Sequence, residues 1–393
     1  KSSHRDEVNI KKMNDRLQSR GPDAKKIWFS DNKKTLLGHT RLSIIDPTEF
    51  SNQPFYDKEN KIVITYNGEL YNYKDLRNDL IKLGYIFNTS SDTEVIVKLY
   101  IHYKENMLKK MIGMFAFCIY DIKKNEFFLA RDHYGIKPLY YFKDTQKFIF
   151  SSQVKSLIEC DYIVKDVSPA AACSFLINGS VMEPFTMYKN VYALDSGTYI
   201  KIKDNKLFKS KYYNLAEHIL QVKSDLNNKS YFDINLSDSL NNSIKRHLVS
   251  DVPIVLFLSS GIDSTSILNS ISNVSKKKIN TITMGFDVYK NTNLDEVTQA
   301  KIIKKNYKTN SNFTYRDRDA FFKIKDDILN SMDQPSIDGI NTYMVSNLAK
   351  TLGFKVAISG IGGDELFSGY PTFKHVPRMK KIYDKTFFSE SFS

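Results

Sequence analysis

The sequence predicts a two-domain α/β protein. At 393 residues the chain is long enough for two hydrophobic cores. From about residue 230 onward, helix-like and strand-like stretches alternate, the pattern of a parallel sheet covered by helices. The first half instead holds many short strand-like runs around two helix-like stretches. Hydrophobic residues make up 41% of the chain, with 26 Phe and 24 Tyr, which is ample for packed cores.

The elements follow in order. Residues 61–66 read as a strand ending at Asn67-Gly68. Residues 73–83 and 93–103 read as helices; in the first, Leu76, Leu80 and Leu83 share one face and Gly84 is a stop signal. Phe175-Leu-Ile-Asn-Gly179, Leu194-Asp-Ser-Gly197 and a hairpin-like run over 199–207 close a first domain placed at 1–205. The polar stretch 221–229 reads as a linker, which makes 206–229 the connection and 230–393 the second domain. There, helices are expected over 231–248, 265–271, 295–305 and 341–352, and strands over 254–258, 279–284 and 354–358.

Composition narrows the function classes. The net charge is +13, but the basic residues are scattered in pairs and short runs such as Lys276-Lys-Lys278. Aromatic residues fall inside strand-like runs rather than between basic ones, so a lysine-rich solvated surface is expected and no nucleic-acid partner. No apolar run approaches the roughly 18 residues of a membrane helix. Cys118, Cys160 and Cys173 form neither a disulfide framework nor a metal pattern, which fits a reducing cytoplasm. Cys118 lies in the apolar run 114–120 and is expected in a core.

The chemistry-bearing segments begin with Val255-Leu-Phe-Leu-Ser-Ser-Gly-Ile-Asp-Ser264. An apolar strand runs into a Ser- and Gly-rich loop and then a helix, the geometry that offers backbone N–H groups and a helix N-terminus to an anion. Serine hydroxyls can donate to phosphate oxygens, and Asp263 can hold a magnesium ion bridging them. The lysine and spacing of a Walker loop are absent. A second apolar strand enters a glycine-rich loop in Lys355-Val-Ala-Ile-Ser-Gly-Ile-Gly-Gly-Asp-Glu365. In a parallel sheet ligands sit at the carboxyl ends of strands, so Asp263 and Asp364 could share one magnesium–pyrophosphate. In the first half, the Asn67 side chain and the Gly68 N–H make a natural pair of oxyanion donors. Arg41 offers a planar fork for a carboxylate, and Asp92 a counter-charge for an amine. Such a set suits an amino acid with a side-chain amide. The same residues also read as a hairpin turn and solvated surface charges.

Taken together, Arg20-Gly-Pro-Asp23, Gly38-His-Thr-Arg-Leu-Ser-Ile-Ile-Asp46, Asn52-Gln-Pro54, Tyr66-Asn-Gly-Glu-Leu-Tyr-Asn72, Ser91-Asp-Thr-Glu-Val95, Gly113-Met-Phe-Ala-Phe117, Ala130-Arg-Asp132 and Gly135-Ile-Lys-Pro-Leu-Tyr-Tyr141 resemble the class II glutamine amidotransferase domain of glutamine-dependent asparagine synthetases. The loops at 259–264 and 359–365 resemble that family's ATP-pyrophosphatase motifs, and the resemblance covers nearly the whole chain. It implies an αββα sandwich of two antiparallel sheets between helices, of Ntn-hydrolase type, followed by a Rossmann-like parallel α/β domain. It implies glutamine held by Arg41, Asn67, Gly68, Glu69 and Asp92. ATP would be held by Ser259, Ser260, Gly261, Asp263 and Ser264, with Phe257, Met284, Ser359 and Gly360 on the adenosine side and Mg²⁺ on Asp263 and Asp364. The implied reaction is adenylation of aspartate and its amidation by glutamine-derived ammonia, in a cytoplasmic enzyme that could form a homodimer.

Departures from the family's pattern lie beside these matches. The family's nucleophile is an N-terminal cysteine, whereas this sequence begins Lys1-Ser2-Ser3 and stops at Ser393, soon after the Asp-Glu loop. A piece missing at each end is expected, with no glutaminase activity in the 393 residues by themselves. Ser260 stands where the pyrophosphate loop usually has glycine, and a positive φ there would cost on the order of 1 kcal/mol. Ile361 stands where well-studied relatives place a glutamate that assists the intermediate. Other readings therefore stay open: amidation of another carboxylate such as a uronic acid of a surface glycan, an ammonia-only ligase, or a non-catalytic binding protein.

Overall fold

A computed structural model describes residues 4–226 and 235–384. The chain divides into two compact units. The first takes 1–234 together with 249–252 and 324–344; the second takes 235–248, 253–323 and 345–393.

The first unit begins with helix α1 (His4–Arg16) and the hairpin β1 (Ala24–Phe29) and β2 (Leu36–Arg41). Next come β3 (Phe55–Asp57), β4 (Ile62–Leu70), α2 (Tyr73–Lys82), α3 (Asp92–Tyr103), β5 (Gly113–Asp121) and β6 (Glu126–Arg131). Then follow β7 (Tyr140–Lys143), β8 (Phe148–Ser151), α4 (Val154–Leu157), α5 (Pro169–Asn178), β9 (Val191–Ala193), β10 (Thr198–Lys203), β11 (Lys206–Lys211) and α6 (Leu215–Leu226). An antiparallel sheet runs in the order β11-β10-β6-β5-β4-β3, and two smaller sheets are β1-β2 and β8-β7-β9.

Side-chain alternation makes the layers. In β4 and β5, Ile62, Ile64, Tyr66, Phe115, Phe117 and Ile119 face one way and pack under α2 and α3 against Leu76, Leu80, Val95 and Leu99. Val63, Ala116, Cys118 and Tyr120 face the other way and meet Leu37, Leu139 and Leu194 across the gap between the sheets. A third core joins Met13 of α1 and Val154 and Leu157 of α4 to Tyr140, Phe142, Val191 and Ala193 of β7 and β9. Helices, sheet, sheet, helices is the expected αββα sandwich. Cys118 is buried in its core, as its apolar run predicts.

The stretch 324–344 is an integral part of this unit. Asp333 caps α4, accepting from the N–H groups of Val154 (2.9 Å) and Lys155 (3.0 Å). Gln334 Oε1 accepts from Met187 N at 3.0 Å, and Ile337 N donates to Gly179 O at 3.1 Å.

The second unit opens with α7 (Leu236–His247), whose first turn is capped by the Asn235 side chain. It continues through β12 (Ile254–Phe257), α8 (Ile262–Val274), β13 (Ile279–Phe286), α9 (Glu296–Lys304), β14 (Thr309–Arg316), the start of α10 (Arg318–Ser331), the second half of α11 (Gly339–Thr351), β15 (Val356–Ile358), α12 (Gly363–Phe367) and α13 (Thr372–Tyr383), the rest of α10 and α11 belonging to the first unit. All strand pairs are parallel, in the order β14-β13-β12-β15. One face buries Leu256 and Leu258 with Ile244, Leu268, Ile271 and Ala300; the other buries Val255 and Ile282 with Leu348 and Ala349. Helices thus cover both faces, as the alternation predicts.

The structure differs from the sequence expectation at several elements. β4 does not end at Asn67 but runs to Leu70, because β5 pairs with it along its whole length. Where the linker 206–229 is expected, β11 closes a hairpin with β10 and α6 follows; residues 227–234, including the expected start of a helix at 231, lie outside the described residues. β14 was hidden by its polar run Thr309-Asn-Ser-Asn312, which is tolerable on an edge strand. α1 was hidden because it buries only Asn9, Met13 and Asn14.

Candidate functional site

A cavity of about 1320 Å³ lies inside the first unit, between the sheets. Ala116, Cys118 and Leu129 form its floor, and α1 contributes Met13 and Asn14. Residues of β2 and of β8 line it as well. Each of these strands pairs on one side only among the described residues, β2 with β1 and β8 with β7. Arg41, Asn67, Gly68, Glu69 and Asp92, which come from β2, β4 and α3, all line this cavity.

Strand register explains the presentation at Gly68. β4 and β5 pair with Leu70 opposite Gly113, and Tyr71 N donates to Ile112 O at 2.8 Å. By antiparallel alternation the N–H groups of Tyr66, Gly68 and Leu70 then point away from β5. Tyr66 N donates to Gln53 Oε1 at 2.6 Å and Leu70 N to Asp92 Oδ2 at 3.1 Å, and the Gly68 N–H lies between them, aimed the same way. A β-carbon on Gly68 would collide with the Met114 carbonyl and come within 2.7 Å of the Tyr66 ring, so glycine is required by close approach. Asn67 pairs opposite Ala116 and turns its side chain to the inter-sheet side, like Thr65 and Glu69.

Arg41 is 6% exposed and its fork is engaged. Nη1 donates to Thr48 O (2.8 Å) and Asn52 Oδ1 (3.1 Å), and Nη2 to Ile45 O (3.1 Å) and Asp46 O (2.5 Å). The terminal N–H donors thus hold the loop 45–52, and Nε is the donor outside these four bonds. Asp46, which sequence reasoning passed over as a site element, holds the same loop. Its carboxylate accepts from Thr48 Oγ1 and Ser51 Oγ (each 2.6 Å) and from Ser90 N at 2.8 Å. Burial would raise the Asp46 carboxyl, but hydrogen bonds from Ser51, Thr48 and Ser90 hold it below its ordinary value.

Two carboxyls face the cavity with raised affinity for protons. Asp92 is buried, and burial pushes it up against the opposing hydrogen bonds from Leu70 N and Tyr66 OH. Glu69 is 5% exposed, its Oε1 has no hydrogen-bond partner, and burial followed by the neighbouring Asp92 charge pushes it up to about 8. Lys137 opposes that shift and lines the same cavity; it was legible only as part of the Gly135-Ile-Lys-Pro segment. Cys118 and Cys160 also line the cavity, but burial raises both thiols, so neither is an activated thiolate. Cys173 lies exposed on α5.

The second unit brings its own set together. β12 pairs on one side with β13 and on the other with β15, so the strand order reverses between β12 and β15, a topological switch point. Gly261 caps α8, and the serines knit the loop. Ser259 Oγ accepts from Gly261 N at 3.2 Å and lies 2.9 Å from Ser264 Oγ, which also reaches Ser259 O at 2.9 Å. Hydroxyls are thus spent largely within the loop. Ser260 is not among the residues with positive φ, so serine there carries no left-handed strain.

Asp263 lies close against the loop that follows β15. A β-carbon on Gly363 would collide with its carboxylate, and one on Gly360 would lie 3.0 Å from its Cβ. Asp364, in the first turn of α12, is turned back so that a β-carbon on Gly369 would collide with its Oδ1. Among the described residues no group of three or more His, Cys, Asp or Glu could hold a metal ion. Phe257 and Met284 pack on the same core, Ser359 and Gly360 follow β15 directly, and Ile361 is 81% exposed.

Residues 1–213 match the glutamine amidotransferase domain family and residues 235–387 the asparagine synthase family. A protein of Methanocaldococcus jannaschii, provisionally named asparagine synthetase [glutamine-hydrolyzing] 2, is 33% identical over 95% of this chain and 74% of its own length. The chain belongs to the glutamine-hydrolysing asparagine synthetase family. Asparagine synthetase [glutamine-hydrolyzing] 1 of Bacillus subtilis is 33% identical over 94% of the chain, and Amidase chry2 of Gibberella zeae 28% over 92%. The chain spans 57% and 55% of the lengths of these two relatives. No helix among the described residues is long and apolar enough to cross a membrane.

Proposed function

We propose that the protein is a glutamine-dependent, ATP-using amide synthetase whose acceptor is aspartate. The observation that carries this is the convergence of Arg41, Asn67, Gly68, Glu69 and Asp92 on one cavity of a chain in the asparagine synthetase family. Asn67 and the Gly68 N–H supply oxyanion donors for a carboxamide under attack. Asp92 and Glu69 receive the ammonium end of glutamine, and Arg41 receives its carboxylate through Nε while bracing the loop beside it. The family's attacking group is a cysteine thiol with its own α-amine as base. Cys118, Cys160 and Cys173 do not supply it, since two are buried and raised and the third lies on α5. By this reading the first unit serves as the amidotransferase domain and the second as the synthetase domain.

In the second unit the start of α8 and the loop 259–264 suit the pyrophosphate of ATP, with Phe257, Met284, Ser359 and Gly360 toward the adenosine. Mg²⁺ bound alongside phosphates asks for only one or two carboxylates, so Asp263 and Asp364 suffice without a larger cluster. When bound it offsets charge on the departing pyrophosphate. The protein's own part is to fix Asp263 between the two loops and to aim N–H donors at the phosphates.

A second reading keeps the chemistry and changes the acceptor to another carboxylate, such as a uronic acid of a surface glycan. The exposed Ile361, where a polar side chain is expected for aspartate chemistry, favours it. ATP–pyrophosphate exchange with a panel of carboxylates decides. Exchange driven by aspartate supports the first reading, exchange driven by sugar acids alone supports the second, and none with any carboxylate removes adenylation altogether.

A further inference from the structure

We propose that Lys137 is a positioning residue of the glutamine cavity: its ammonium is the counter-charge that lets Glu69 ionise and accept N–H donors from bound glutamine. This rests on the glutamine reading above and extends it to a residue in the Ala130 to Tyr141 segment that the site had left without a role.

The need for a counter-charge follows from what surrounds Glu69. Its side chain is buried and Oε1 has no partner, a costly state for a carboxylate unless a donor arrives. The groups that face it are mostly of the wrong kind. Asp92 at the start of α3 repels its charge. Tyr66, Tyr71 and Tyr73 are phenols whose own ionisation Glu69 opposes, so they carry no positive charge. Arg41 lines the cavity, but its guanidinium acts on Asp46, Asp92 and Asp23. Lys137 lines the same cavity as Glu69 and is the cation whose charge favours ionisation of that carboxyl.

The chain holds Lys137 for this task. The Asp132 carboxylate gathers the turn after β6, accepting from Tyr134 N (3.1 Å) and Ile136 N (3.0 Å) on Oδ1 and from Lys137 N (2.9 Å) and Phe115 N (3.1 Å) on Oδ2. Arg131 Nε donates to the Lys137 carbonyl at 3.0 Å, and Gly135 takes the left-handed backbone (φ +70°) that the turn needs. Both sides of the Lys137 backbone are therefore fixed before any ligand binds. The ammonium has reciprocal reasons to seek Glu69: burial and the nearby Arg20 disfavour its charge, while Glu69 and Asp132 favour it.

The chemistry gives a sign. Removing the cation leaves Glu69 beside Asp92 alone, so its carboxyl holds its proton to higher pH. A protonated Glu69 cannot offset the ammonium charge of glutamine, and affinity falls. The experiment follows the Glu69 side-chain carbon by ¹³C NMR in the full chain, assigned with Glu69→Gln, and measures glutamine binding by calorimetry over the same pH range. In Lys137→Met the Glu69 midpoint should move to higher pH, and below that midpoint glutamine binding should weaken about tenfold per pH unit moved. Lys137→Arg keeps the charge and should restore both, while Lys137→Gln should behave as Met. A midpoint that stays in place in folded Lys137→Met and Lys137→Gln overturns the proposal, as does a shifted midpoint with unchanged glutamine affinity. If the midpoint moves but the unsubstituted chain binds no glutamine at any pH, the glutamine reading fails while the Lys137–Glu69 coupling stands.

Discussion

Arg41 shows how far a single residue can be read. The sequence marks it as a fork for a carboxylate, and it does line the cavity, but four of its bonds go to Thr48, Asn52, Ile45 and Asp46 of its own loop. Carbonyl partners leave no trace in residue types, so the bracing role was invisible. Arg41→Ala should therefore lower stability and glutamine binding together. At about 0.5–1.5 kcal/mol for each of these bonds the stability loss should be about 2–6 kcal/mol, read from denaturant unfolding. Lysine should not repair it, because one ammonium cannot span four acceptors in that plane. Glu69 gives a second expectation with a definite sign. Its folded value, about 8, lies above the ordinary 4.5, so its contribution to stability is fully present below about 4.5 and is lost as pH rises through 8. Glu69→Gln should thus gain stability relative to the parent chain across that window, by a few kcal/mol in order of magnitude. A gain that is flat with pH would show that Glu69 ionises as freely in the folded state as in the unfolded one. The Asn67-Gly68 pair was legible because its signal is local, whereas the coupling of Glu69 to Asp92 and Lys137 depends on three separate segments meeting.

At the scale of elements, period-two and helical patterns were read well where an element commits enough apolar residues and poorly where burial is thin. α3 was read over 93–103 although residues 92–100 are buried throughout, which leaves it no polar stripe to mark a face. Lys98 lies in it as one end of an ion pair with Asp57 at 2.8 Å, both side chains 7% exposed. Asp57 is held below its ordinary value by Lys98 and Asn60 despite burial that pushes it up. Lys98→Met strands a buried carboxylate and should cost about 3–5 kcal/mol, whereas the double change with Asp57→Leu should recover most of that. Thermal unfolding of the two variants measures the difference, and equal losses would mean that the pair is not a closed unit. The polar edge strand β14 and the sparsely buried α1 were missed because neither commits enough apolar residues to make a period visible.

For the molecule as a whole, each unit carries its own set of groups, and a change in one set should leave the other intact. Gly363→Ala places a methyl group where the Asp263 carboxylate lies, so it should abolish ATP–pyrophosphate exchange in a protein that still binds glutamine. Loss of glutamine binding as well would show that the substitution unfolds the chain rather than the nucleotide loop. The two-domain plan was legible because sandwich and parallel sheet have different rhythms. The path of the chain between them was not, because nothing in the composition of 324–344 says which core it will join. That path bears on inheritance. Families of two-part enzymes are often pictured as cassettes, one half exchangeable for another at a seam. Here Asp333 and Gln334, encoded far downstream of the amidotransferase match at 1–213, complete the end of α4 and the turn at Met187. A recombination that cut at that seam would deliver a sandwich lacking its own cap, so an exchange of the first half would have to carry 324–344 with it.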